Sequence, residues 1–238
     1  MNWKDRTELL LGKEKNEAVC SATVLVAGVG GVGGYAVEIL ARAGVENLII
    51  IDDDVVKQSN INRQIIANTT NIGQSKVEVM KTRIMEINPE AKVLAIQAFI
   101  DEDNVDDFMR KFKPNFVIDA IDSISPKIAL IKYCMENHIK IISSMGAGGR
   151  MDPTALRYAD ISQTSYCSLA RTVRTRLKAC GIYKGLPVVY SIEPANKEAV
   201  IKVDDERNKC TTVGTISYLP ALFGCYLAAY CIQKLITP

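Results

Sequence analysis

The sequence predicts an α/β fold, a mostly parallel sheet with helices on both faces, extended towards the C-terminus by an antiparallel portion and a long helix. Three observations predict it. Apolar runs of strand length recur from residue 20 to about residue 145, segments of helical spacing separate them, and a glycine-rich turn joins the first run to the first helix. Continuous rather than alternating apolar runs mark strands buried on both faces, as parallel strands are. Each βαβ step then returns the chain to the same sheet.

The runs "ATVLVAG" and "NLIIIDD" read as the first two strands, and "GGYAVEILARAG" between them as a helix ending at Gly44. A glycine suits the left-handed residue that follows a helix. Next, "GQSKVEVMKTRIMEINP" sets Val77, Met80, Ile84 and Ile87 at helical spacing, and Pro89 stops it. "AKVLAIQAF" and "NFVIDAID" read as strands around the acidic helix "DEDNVDDFMRKF". "SPKIALIKYCMENH" places Pro126 early in a helix, where its missing N–H does no harm, and "IKIISSMG" is another buried strand.

After Gly149 the rhythm changes. "ALRYADI" and "LPVVYSIEP" read as strands flanking the basic helix "SLARTVRTRLKACG". "ANKEAVIKVDDERNKCTTVG" is polar and nearly aperiodic, which predicts a mobile loop over about 194–213. The closing "TISYLPALFGCYLAAYCIQKLI" approaches the length of a membrane span. Pro220 interrupts it, and Tyr218, Tyr226, Tyr230 and Gln233 dilute it, so a helix packed in a core or subunit interface is expected rather than a membrane anchor. The whole reads as one domain over 1–238, with a nucleotide-binding core over 20–149 and a substrate and dimer portion over 150–238.

Composition narrows the function classes. A net charge of +2 over 238 residues gives no global pull towards nucleic acid or membrane, so any basic surface is local. Seven cysteines occur without a C-x-x-C pair, which argues against a zinc ribbon. The charged start "MNWKDRTELL" lacks an apolar signal region, and a reducing cytoplasm is expected.

Gly28, Gly30 and Gly33 fit G-x-G-x-x-G between a strand and a helix, with Gly31 inside the same turn. Such a turn brings backbone N–H groups and a helix N-terminus against a phosphate, in the manner of a Rossmann-like nucleotide site. The default ligand is NAD, with Asp52 at the tip of the second strand on the ribose hydroxyls. The segment "IDDDVVKQSNINRQIIA" points elsewhere. It gathers Asn60, Arg63 and Gln64, and hydride transfer needs no such cluster. Cleavage of a triphosphate does, because charge builds on the phosphates. Arg63 offers a bidentate fork, Lys76 a second positive charge, and Asp122, at the carboxyl end of the fourth strand, a ligand for Mg2+. Together they resemble an adenylation site for ATP.

The stretches "GVGGVG", "DDDVVKQSNINRQ", "GQSKVEVM", "INPEA" and "VIDAIDS" resemble the ubiquitin-activating-enzyme-like superfamily of MoeB, ThiF and HesA. The resemblance implies a homodimeric enzyme that adenylates a carboxylate with Mg-ATP. It places Asp52 on the ribose, Asn60 and Arg63 near the phosphates, Lys76 on the triphosphate and Asp122 on magnesium. Arg6 in "DRTELLLG" falls where a family arginine reaches the neighbouring subunit's triphosphate. Asp54 and Gln64 join the nucleotide-binding set.

Within the superfamily, "SSMGAGGRMDPTALRYADISQT", "LARTVRTRLKACGI" and "VVYSIEP" resemble the tRNA threonylcarbamoyladenosine dehydratase branch. That implies tRNA bearing threonylcarbamoyladenosine as substrate, cyclised through an acyl adenylate, with a possible sulfur-transfer protein as partner. Adenylation of a sulfur-carrier protein's C-terminus and a non-catalytic nucleotide-dependent scaffold are the alternatives. Two departures stand out: Tyr166-Cys167 replaces the branch's usual Asp-Pro, and the C-x-x-C zinc motifs of MoeB and ThiF are missing. Arg171, Arg174 and Lys178 share a helix face, with Arg150 and Arg157 near in sequence. This is a solvated basic face or an RNA-contacting one, and the resemblance favours RNA. Cys210 lies where protein-activating relatives carry a thioester cysteine, although an intramolecular cyclisation needs no covalent carrier. His138, the one histidine, reads as a surface or turn residue rather than a base.

Overall fold

A computed structural model describes residues 2–206 and 209–237, the side chains of 202–211 excepted. Helices α1 (Asp5–Leu11) and α2 (Lys13–Ser21) lead into β1 (Thr23–Ala27), α3 (Gly33–Arg42) and β2 (Asn47–Ile51). There follow α4 (Lys76–Ile87), β3 (Lys92–Ile96), α5 (Val105–Phe112), β4 (Phe116–Asp119), α6 (Ile124–Glu136) and β5 (Ile141–Ser144). The later part holds β6 (Leu156–Asp160), α7 (Ser168–Ala179), β7 (Pro187–Ser191), β8 (Val200–Glu206), β9 (Lys209–Val213) and α8 (Tyr218–Ile236).

Seven strands form one sheet in the order β3-β2-β1-β4-β5-β7-β6. Every pairing is parallel except that of the edge strand β6 with β7. The sheet divides two apolar layers. Val24 and Val26 of β1, Leu48 and Ile50 of β2, and Phe116 and Ile118 of β4 face the layer that includes α3, α4 and α8. Leu25 and Ala27, Ile49 and Ile51, and Val117 face the opposite layer, with α5, α6 and α7. Successive side chains point to opposite faces and both faces are covered, which is why these strands read as unbroken apolar runs. Gly44 follows α3 with φ +98°, as the helix-stop reading expects.

The C-terminal helix α8 buries Leu219, Phe223, Leu227, Ala228 and Cys231 in the first layer. Gly224 lets it lie directly on α3, since a Cβ there would overlap the Val32 carbonyl oxygen and come within 2.8 Å of the Tyr35 Cβ. Among the described residues α8 is the helix long and apolar enough to cross a membrane, yet one face belongs to this core.

One expectation fails. The stretch read as an aperiodic loop holds an antiparallel pair, β8 and β9, with Val200 opposite Val213 and Ile201 opposite Thr212. These β-branched residues favour strands, but the charged stretch between them hides the alternation. Gly148 and Gly149, after β5, seat the base of this hairpin. The Gly149 N–H donates to the Gly214 carbonyl at 2.8 Å, and a Cβ on Gly148 would lie 3.0 Å from Val213 Cγ1.

Candidate active site

The glycine turn follows β1 at the carboxyl edge of the sheet. Gly28 has φ +86°, its N–H donates to the Ile51 carbonyl at 2.8 Å, and a Cβ there would sit 2.8 Å from the Ala120 carbonyl oxygen. A Cβ on Gly33 would overlap the Gly28 carbonyl. Both positions need glycine for the chain's own packing. Gly30 differs. The nearest atom to a Cβ there is the Gln64 Nε2 at 3.7 Å, an ordinary contact, so the chain's own packing does not require glycine here. The N-cap of α3, Val32, supplies no side-chain cap, and the Gly34 N–H turns back onto the Gly30 carbonyl at 2.9 Å. Gly31 packs its open side on Arg63 Cγ and Pro220 Cβ, each 3.3 Å from a built Cβ.

Asp52 emerges from β2 beside this turn. Its Oδ2 accepts the Val29 N–H at 2.6 Å and its Oδ1 the Asp54 N–H at 2.9 Å. Burial pushes its carboxyl above the ordinary range, against the pull of Lys76 and the two amides. Lys76 opens α4 as expected and is 5% exposed. Its Nζ lies 2.7 Å from Asp54 Oδ2 and 4.0 Å from Asp52 Oδ1. A buried ammonium thus stands between two carboxylates at the edge of the glycine turn.

Asn60 is buried at the end of a 3-10 turn, Gln58–Asn60, and its Oδ1 accepts the Lys57 N–H at 3.0 Å. That turn carries the chain to Arg63, whose Nη1 donates to the Ser59 carbonyl at 2.8 Å and to Asn62 Oδ1 at 2.9 Å. Asn62 in turn donates to the Thr215 carbonyl at 3.0 Å, which ties the arginine segment to the start of the α8 approach. Gln64 is 7% exposed, and its Oε1 has no hydrogen-bond partner. An orphaned buried acceptor costs about 1–3 kcal/mol, and such groups concentrate at functional sites. A hydroxyl or amine of a bound molecule fits it.

Asp122 is exposed beyond the end of β4. Among the described residues no cluster of three His, Cys, Asp or Glu could hold a metal. Magnesium needs no such cluster, since one or two carboxylates, phosphate oxygens and water satisfy it, so Asp122 fits that role. Sequence reasoning missed what lies below Asp122. Asp119 and Lys127 form a fully buried ion pair, Nζ to Oδ2 2.7 Å, joined by the Ser143 hydroxyl at 2.6 Å. The available signal was a lysine inside the apolar helix "SPKIALI".

The remaining candidates separate. Lys4 pairs with Glu46 at 2.8 Å, just ahead of β2, so Arg6, two residues on, starts from the sheet edge opposite the glycine turn and is exposed. Arg171 and Lys178 are exposed on α7, whose buried face is Ala170, Val173 and Leu177. Arg174 is half-buried and bonds the Ile161 and Thr164 carbonyls and the Thr164 hydroxyl. Arg150 corrects the sequence reading. It is 4% exposed, and its guanidinium donates to the carbonyls of Glu193, Gly146, Gly148 and Tyr166 at 2.7–3.1 Å. Four of its five donors bind the chain itself, so it is a scaffold residue and not an RNA contact. Tyr166 takes φ +52°, and the Cys167 sulfur caps α7 by accepting the Ala170 N–H at 3.4 Å. The Cys210 side chain lies outside the described residues.

The ThiF family model matches residues 5–238. The tRNA threonylcarbamoyladenosine dehydratase of Bacillus subtilis is 46% identical over 79% of this chain and 74% of that protein. Its Escherichia coli counterpart is 36% identical over 98% of this chain and 94% of that protein. The crystal structure of Escherichia coli tRNA N6-threonylcarbamoyladenosine dehydratase, TcdA, in complex with AMP superposes with a TM-score of 0.89. It covers 98% of this chain and 93% of that one at 36% identity. A glycine turn, a buried lysine between carboxylates and an arginine loop at the carboxyl edge of a parallel sheet therefore occur in a chain that belongs to the ThiF family.

Proposed function

We propose that this protein is an ATP-dependent tRNA threonylcarbamoyladenosine dehydratase. The observation that carries the reading is the convergence of Asp52, Lys76, Arg63 and the orphaned Gln64 on one glycine turn, in a fold that matches an AMP-bound dehydratase over nearly its whole length. The site's chemistry supports it. A carboxylate is a poor electrophile at neutral pH. Its oxygen attacks the α-phosphorus of ATP, the bond to the β-phosphate oxygen breaks, and pyrophosphate leaves. An internal nucleophile of the modification then attacks the acyl carbon and loses its proton, and AMP departs with the former carboxylate oxygen. The net change in the nucleoside is the loss of one water.

This chain's residues bind and orient rather than react. The glycine-turn and α3 amides face the phosphates. Asp52 receives the ribose hydroxyls, and Lys76 and Arg63 neutralise charge on the departing pyrophosphate. Magnesium, held by Asp122 with phosphate oxygens, would add further charge neutralisation there. A homodimer completes the site. Leu9 and Leu10 of α1, the helix that carries Arg6, are 77% and 83% exposed, and α8 leaves Leu222, Tyr226 and Ile232 half-covered, so apolar surface is available on both helices. From a second copy, Arg6 reaches a triphosphate that its own chain's arrangement keeps at the far edge. Arg171 and Lys178, with the exposed Arg176 and Arg157, supply phosphate contacts for the tRNA. The six described cysteines are all unpaired, which suits the cytoplasm.

The test is to incubate the protein with ATP, magnesium and tRNA bearing threonylcarbamoyladenosine, digest the RNA and weigh the nucleoside. Loss of one water with one AMP formed per product is expected. ATP turnover only with a carrier protein present, or none under any condition, overturns the reading.

A further inference from the structure

A buried ion pair is weak evidence for stability, because desolvating two charges offsets their attraction. The bonding of Asp119 and Lys127 shows a different use. Besides its 2.7 Å contact with Asp119 Oδ2, Lys127 Nζ donates to the Ile121 carbonyl at 2.8 Å. Asp119 Oδ1 accepts the Ile121 N–H at 3.1 Å. Ser143, the register partner of Asp119 on β5, donates its hydroxyl to Asp119 Oδ2 at 2.6 Å. Both polar groups of one peptide residue are therefore gripped by one buried pair.

Ile121 sits between two parts of the site. On one side Ala120 donates its N–H to the Ala27 carbonyl at 2.8 Å. The Ala120 carbonyl oxygen lies 2.8 Å from a Cβ built on Gly28, and its methyl 3.1 Å from one built on Gly33. On the other side is Asp122. A residue leaving a strand has no ladder partners for its N–H and C=O, and apolar packing cannot supply any. One acceptor and one donor, held by each other and by Ser143, can.

We propose that Asp119 and Lys127 are positioning residues for the nucleotide chemistry, a buried clamp that holds the Ala120–Asp122 turn rigid beneath the glycine turn and aims the Asp122 carboxylate. Neither touches the ligand. The proposal rests on the adenylation reading of the site, and its test separates the two.

The double variant Asp119→Asn with Lys127→Met removes both charges together, so no unpaired charge stays buried. Ser143→Ala loosens the clamp and leaves the pair. In ligand-free protein, hydrogen exchange at the Ile121 and Asp122 amides is expected to quicken about tenfold in the double variant and less in Ser143→Ala. The dissociation constant for ATP stays within about threefold while the rate of AMP formation falls roughly 10–100-fold, the cost of misplacing a group by an ångström or less. A folded double variant with wild-type exchange and wild-type rate overturns the clamp. Should the double variant not fold, unchanged exchange and rate in Ser143→Ala overturn it equally. Wild-type protein that forms no AMP overturns the reading of the site instead.

Discussion

Lys76 and Arg150 are long cations buried to the same degree, 5% and 4% exposed, one at the start of α4 and one just after β5. Their partners differ in kind. Lys76 faces two carboxylates at the rim of the glycine turn, one of them about half exposed. Arg150 is surrounded by four main-chain carbonyls contributed by three separate segments. A carboxylate partner at a rim can be exchanged for a phosphate when a nucleotide enters. Carbonyl partners in the interior cannot, because each would be left unsatisfied. Burial alone therefore does not mark a binding residue. What the charge is bonded to does.

The largest effect that sharpens this contrast is expected at Lys76. Lys76→Met lowers AMP formation roughly 10²–10³-fold per folded molecule, as removal of one charge-stabilising donor does, and it also lowers the melting temperature because buried Asp52 loses its counter-charge. Single-turnover kinetics beside calorimetry check both halves. Arg150→Met differs in the rate. Losing the partner of four buried carbonyls costs about 3 kcal/mol or more, a drop on the order of 10 °C in melting temperature for a chain of this size. The rate per folded molecule is retained. A thermally intact but inactive Arg150 variant would break the comparison.

Asp52 tests the same idea by pH. Its carboxyl titrates above the ordinary range because it is buried. On acidification it therefore protonates earlier than an exposed aspartate, and ATP affinity falls at a pH above the usual carboxylate range. The folded state takes up that proton more readily than the unfolded one. Ionised Asp52 thus lowers stability once pH has risen through its folded value. Asp52→Asn is expected to weaken ATP binding about 10–100-fold, the worth of one or two hydrogen bonds to a charged acceptor, and to remove the loss of ligand-free stability that Asp52 ionisation brings as pH rises. Titration calorimetry across pH, with thermal melts, reads both signs.

Smaller effects probe the outer surface. Arg171→Glu with Lys178→Glu is expected to weaken tRNA binding about tenfold and to flatten its salt dependence, leaving ATP affinity intact. Filter binding at several salt concentrations decides it; an unchanged slope removes α7 from the RNA surface. Smallest is Cys167→Ser. It replaces a weak sulfur acceptor at the α7 cap with a hydroxyl and adds about 0.5–1 kcal/mol of stability, visible as a small rise in melting temperature.

The two halves of the chain differed in legibility for a related reason. The parallel strands are covered on both faces, so their apolar runs stand out, and the glycine turn and the Asn60–Gln64 segment carry their chemistry in consecutive residues. The β8–β9 hairpin did not stand out, because its charged central stretch masks the alternation and its base is held by Gly148 and Gly149, some fifty residues earlier. Asp119 and Lys127 show as an acidic strand end and a stray lysine, eight residues apart, and only the turn between them makes them a pair.

The amino-acid sequence by itself determined the parallel architecture, the nucleotide turn and the side chains that converge on it, since each rests on local spacing or on a short run of neighbours. Tertiary structure alone decided which buried charges pair with carboxylates at the glycine turn and which are held by main-chain carbonyls. The reason is physical: a charge's role follows from its partners' ability to be exchanged, and partners such as Glu193 and Tyr166 around Arg150, or Ser143 beside Asp119, are brought there by folding and not by sequence proximity.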